Sequence, residues 1–154
     1  MNIFFSDEQD LPVDAHSLRG FADAVMQAEG FGPDTELSVI TVGPDQMAEY
    51  NQKFMGRAGP TDVLAFPIEE MKPGQVPPRF AGDPPIVLGD VFLCPSEIEQ
   101  RAKAENIGYD DFLHLLLVHG ILHLMGYDHE EDTAADAMER REDELLGLIG
   151  RSIG

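Results

Sequence analysis

The chain has one cysteine, Cys94, among its 154 residues, and no tryptophan. A single cysteine excludes an intrachain disulfide, and a reducing, cytoplasmic setting is expected. Basic residues are scarce. Lys and Arg number 10 against 29 Asp and Glu, for a formal charge of -19. That balance excludes the broad basic surface of a generic nucleic-acid binder. Any RNA contact must be local, through Lys53, Arg57, Arg79, Arg101 or Lys103. No apolar run approaches the length of a membrane span. The N-terminus has no basic flank ahead of an apolar core, so no signal peptide is expected.

What remains is ordinary for a globular protein. Hydrophobic residues make up 43% and charged residues 25%. The length suits one domain, over 1–154, with enough chain to bury a core. Residues 2–5 read as a short strand. Leu18, Phe21, Ala22, Val25 and Met26 recur at helical spacing, which predicts a helix over 15–29 closed by Gly30. Residues 37–42 alternate and are β-branched, as a strand requires. A helix is expected over 45–54 and a strand over 62–66. Seven of the 11 prolines fall between 60 and 85, and residues 68–85 show no apolar period, so they read as a loop or insertion. The run 86–93 is nearly all apolar, which suggests a strand buried on both faces. Helices follow over 95–105, over 111–125 with Asp110 or Asp111 as cap, and over 131–149.

The chemistry concentrates in His119-Gly-Ile-Leu-His123-Leu-Met-Gly126-Tyr-Asp-His129. Residues four apart on a helix lie about 40° apart in azimuth, one turn along the same face. His119 and His123 can therefore share one ion. Gly126 can leave the helix through a left-handed conformation, and His129 can fold back as a third ligand. Three histidines leave one position of a tetrahedral zinc ion open for water, the mark of a catalytic site. A metal-dependent hydrolase is the leading reading. The usual zinc peptidase helix reads His-Glu-x-x-His, with Glu as general base. Here Gly120 takes that position, which disfavours a peptidase. Asp128 and Glu130 flank the third histidine and are candidates to orient an imidazole. His114 falls about 140° round the helix from His119 and reads as a packing residue. His16 reads as surface.

The histidine string resembles the signature of the YbeY family, bacterial single-strand-specific endoribonucleases of ribosomal RNA maturation. Pro60-Thr-Asp-Val-Leu-Ala-Phe-Pro67 is similar to that family's Pro-Thr-Asp-Val-Leu-Ser-Phe-Pro segment, and Leu88-Gly-Asp-Val-Phe-Leu93 to its Leu-Gly-Asp-Ile strand. Order and spacing agree over roughly residues 37 to 149. The resemblance implies a compact α+β fold, a small mixed sheet packed against helices and loosely like the zinc peptidases. It implies one zinc ion per chain on His119, His123 and His129. It further implies cleavage of single-stranded RNA, maturation of small-subunit ribosomal RNA, and disposal of defective ribosomes. The partners would be the small ribosomal subunit or its assembly factors, with no membrane and no DNA.

One position departs from the family pattern. An arginine is expected in Asn-x-x-Tyr-Arg, and this chain reads Asn51-Gln-Lys-Phe54-Met55. Arg57, two residues on, is the candidate to replace it, because a planar guanidinium can pair two phosphate oxygens. Ala65 stands where the family has serine. Whether water or the RNA 2′-hydroxyl attacks stays open. A second reading is a ribosome assembly factor whose zinc is mainly structural.

Overall fold

The computed structural model describes residues 2–128 and 132–153, and the side chains of all these except Asp132 and residues 148–153. Four strands and five helices follow in the order β1 (Asn2–Glu8), α1 (Ala15–Ala28), β2 (Thr35–Val42), α2 (Pro44–Met55), β3 (Val63–Pro67), β4 (Ile86–Leu93), α3 (Pro95–Glu105), α4 (Tyr109–Leu124) and α5 (Asp132–Ile153). The sheet runs β1-β2-β4-β3. β1 and β4 lie parallel to β2, and β3 lies antiparallel to β4 at the edge. The fold is thus α+β with a mixed sheet, as expected. Among the described residues no helix is long and apolar enough to cross a membrane.

Alternation explains the two faces of the sheet. Leu37 and Val39 of β2 and Val91 and Leu93 of β4 point into the main core. There they meet Leu18, Phe21 and Val25 of α1, Ile98 of α3, Leu117 and Ile121 of α4, and Met138 and Leu145 of α5. Val42, Leu64 and Cys94 form a second, smaller core with Met47 of α2. Each large aliphatic side chain fully buried this way stabilises the fold by about 1.5–3 kcal/mol.

β4 reads as continuously apolar for a specific reason. The register with β2 shifts between Glu36 and Leu37, so Leu88 is an extra residue in β4. The bulge resets the alternation, and Ile86, Leu88, Val91 and Leu93 all reach the main core. Gly89 beside it has φ 141°, and a β-carbon there would strike the Phe66 carbonyl oxygen of β3. Asp90 and Phe92 face the other side and are only half buried. The strand is therefore central, but not buried on both faces.

The helix ends follow local chemistry, with one difference. Asp14 caps α1 by accepting from Ser17 N at 3.0 Å. Asn106 closes α3 in the left-handed region, φ 57°. α4 begins earlier than expected. Gly108 is its N-cap and neither Asp110 nor Asp111 supplies a capping side chain. Both aspartates sit in the first turn, where negative charge favours the helix dipole. β1 extends past Phe5 because Ser6, Asp7 and Glu8 pair with Ile40, Thr41 and Val42. An edge strand tolerates polar residues there.

Candidate metal centre

α4 carries buried residues on most sides, from Phe112 to Leu124. It is seated against the sheet at Gly120, where a β-carbon would lie 2.7 Å from Val91 Cγ1 and 3.3 Å from Val63 Cγ2. Glutamate has no room at this position. The absence of a peptidase-type base is thus built into the helix–sheet packing.

His119 and His123 emerge together from α4. Their ring centroids are 4.7 Å apart and their planes cross at 81°. His119 Nδ1 lies 2.5 Å from Glu142 Oε1 of α5. A carboxylate oxygen accepts from an imidazole N–H, so Nδ1 is the ring nitrogen turned to Glu142 and Nε2 is turned away from it. His119 is 28% exposed and the Glu142 side chain 11%. Imidazole nitrogen is a common zinc ligand, and His119 and His123 bring two imidazoles to one face of α4.

The turn toward the third histidine is also ordered by glycine. Gly126 has φ 95°, and a β-carbon on it would collide with the Met71 carbonyl oxygen. The proline-rich segment 68–85 therefore runs against the end of α4. Met71, Val76 and Tyr127 each pack on the main core. Burial pushes the Tyr127 hydroxyl pKa up, helped by Glu29 and Glu144 and opposed by Arg141. His129 and Glu130 lie outside the described residues. Among the described residues no group of three His, Cys, Asp or Glu side chains could hold a metal ion. The structure thus brings together two of the three expected ligands.

His114 turns to α1. Its Nδ1 donates to the Asp110 carbonyl at 2.6 Å, Ser17 Oγ lies 3.3 Å from Nε2, and Phe21 meets the ring edge-on. His16 is exposed.

The candidate phosphate-binding cations divide sharply. Arg79 pairs with Asp34, Arg101 with Asp62 and Glu105, and Lys103 with Glu99. Lys53 instead sits over the Phe54 ring, 5.3 Å from its centroid, and Arg57 is in none of these ion pairs. Met55 is the last residue of α2, Gly56 caps it at φ 65°, and Arg57 follows on an exposed loop. The Arg57 amide donates to Asn51 O at 3.2 Å, and Asn51 Nδ2 donates to Gly59 O at 2.9 Å. The loop leads into β3, which packs on α4. Asp62, 7% exposed, belongs to the fold rather than to a ligand set. Its carboxylate holds Arg101 and its carbonyl accepts from Cys94 N.

Glu142 is the residue that sequence patterning missed. It was hidden in the charged run Glu139-Arg-Arg-Glu-Asp-Glu144. The available signal was its spacing, four residues after Met138 and three before Leu145, which puts it on the buried stripe of α5.

Comparison with known proteins agrees with this geometry. A family model described as endoribonuclease YbeY matches residues 4–150. The endoribonuclease YbeY of Acidothermus cellulolyticus is 40% identical over 147 residues, covering 95% of this chain and 90% of the relative. That of Thermobifida fusca is 38% identical over 153 residues, covering 99% and 97%. The solution structure of TM1509 from Thermotoga maritima superposes with a TM-score of 0.61 at 27% identity, covering 98% of this chain and 93% of that one. With the matched family spanning nearly the whole chain and the signature helix folded as its spacing requires, the chain belongs to the endoribonuclease YbeY family.

Proposed function

We propose that this endoribonuclease depends on zinc, prefers single-stranded RNA, and acts in the maturation of small-subunit ribosomal RNA and in ribosome quality control. The observation that carries the zinc reading is the pair of imidazoles on one face of α4, with His119 held through Nδ1 by Glu142. His119 and His123 would hold the ion, with His129 as third ligand. Bound zinc supplies a Lewis acid and lowers the pKa of water toward neutrality.

The remaining work falls to the chain's own side chains. Gly120 leaves no carboxylate beside His119 on α4 to take a proton, so that task passes to other groups. Of the five candidate cations, Arg57 and Lys53 are the ones proposed to meet phosphates, since Arg79, Arg101 and Lys103 are already paired with carboxylates. Arg57 is the group proposed to stabilise the charge that builds on the phosphate. Phe54, 55% exposed beside Lys53, offers a splayed base an aromatic face, which duplex RNA cannot use. So acidic a surface favours partner-assisted delivery of RNA, and the small ribosomal subunit or its assembly factors are the proposed partners.

Cleavage of a labelled single-stranded RNA and of its duplex form, before and after chelation and with zinc restored, tests this. The reading expects cutting of the single strand only, lost on chelation and recovered with zinc. Cutting that survives full metal removal would overturn the zinc dependence. A folded, zinc-loaded protein that cuts neither RNA would favour the assembly-factor reading.

A further inference from the structure

We propose that Glu142 is a positioning residue for the metal centre. It fixes His119 as the Nδ1–H tautomer and so aims the Nε2 lone pair at the ion. The inference rests on the zinc reading above.

Glu142 is 9% exposed, and a buried carboxylate is costly unless it is hydrogen-bonded. Its flanking residues on the same stripe, Met138 and Leu145, are buried apolar side chains and offer it no proton. The adjacent cation, Arg141, is committed elsewhere, to Glu29 and Glu144. His119 Nδ1 answers the need, 2.5 Å from Oε1. The same bond defines the imidazole. With its proton on Nδ1, the ring keeps a lone pair on Nε2, the form a metal takes. Because Met138 and Leu145 lock α5 into the core, the carboxylate is held by packing on either side. It can therefore set ring orientation as well as tautomer. Carboxylate–histidine–metal arrangements of this kind raise ligand basicity.

Two readouts separate this role from simple bridging of α4 to α5. The first needs no metal and no variant. Nitrogen-15 NMR of metal-free wild type, above the pH at which imidazole titrates, is expected to show His119 protonated on Nδ1. Protonation on Nε2 would overturn the proposal, even if every Glu142 variant failed to fold. The second is zinc affinity, by competition with a chromophoric chelator, for wild type, Glu142→Gln and Glu142→Asp. Glu142→Gln keeps size and a weaker acceptor, so it should fold and bind zinc roughly 10–100-fold more weakly. Glu142→Asp should recover part of that loss. Equal affinity in wild type and Glu142→Gln would overturn the proposal while leaving the zinc centre standing. A folded wild type that binds no zinc would overturn the zinc reading itself, and the positioning role with it.

Discussion

Gly120 of α4 stands so close to β4 that a β-carbon on it would lie 2.7 Å from Val91 Cγ1. Alanine in a helix interior normally gains about 1 kcal/mol over glycine. Overpacking a filled core costs about 1–3 kcal/mol, and the β-branched Val91 has little rotamer freedom to yield. The clash wins. Gly120→Ala is expected to be destabilised by about 1 kcal/mol, a drop of roughly 2–4 °C in melting temperature for a domain of this size. Thermal unfolding checks it, and a more stable variant would show that α4 is not seated as described.

Gly126 is constrained twice, by φ 95° and by the Met71 carbonyl oxygen. Gly126→Ala must strain the backbone and push the 68–85 segment away. A loss of about 2–4 kcal/mol is expected, with Met71 and Val76 more exposed to hydrogen exchange or proteolysis nearby. A change within about 0.5 kcal/mol, the range of a neutral surface substitution, would mean that the loop does not pack on this turn.

Asp7 gives a test in pH. Thr41 Oγ1 donates to its carboxylate at 2.7 Å, and this bond, with lesser help from Gln9, holds the Asp7 pKa below its ordinary value. A carboxyl whose pKa is lower folded than unfolded stabilises the protein above the unfolded value. That contribution is lost as pH falls through the folded value. Thr41→Val should raise the Asp7 pKa and remove the larger part of the contribution, leaving that of Gln9. The effect on stability is small because Asp7 is exposed. Carboxyl-carbon NMR titration reads the pKa directly, and an unmoved Asp7 would contradict the assignment.

Arg57 follows the α2 cap on an exposed loop and is in no ion pair among the described residues. Arg57→Ala should leave stability within about 0.5 kcal/mol and zinc content unchanged. RNA cleavage should fall roughly 100-fold, as for loss of one group that stabilises transition-state charge. Unchanged cleavage would remove Arg57 from the mechanism.

The elements with strong periodicity were legible in the sequence. α1 shows its stripe from Leu18 to Met26, and the α4 histidines declare themselves by spacing alone. Less visible was anything set by a neighbouring element. The bulge at Leu88 depends on β2, so β4 looked buried on both faces. Tertiary packing of Met71 and Val76 gave order to a segment whose composition predicts only loop. Gly108 takes the place of the aspartate cap, because α4 starts two residues earlier, at Tyr109. Glu142 was obscured by its charged neighbours, since a carboxylate's partner on another helix leaves no local mark. His129 lies outside the described residues, and its role still rests on the signature.

The most direct test of the central claim is zinc stoichiometry and single-stranded RNA cleavage, measured together on wild type and His123→Ala. The account predicts one zinc per wild-type chain with cleavage, and loss of both in a folded His123→Ala protein. Cleavage that persists in folded, zinc-free His123→Ala would contradict it.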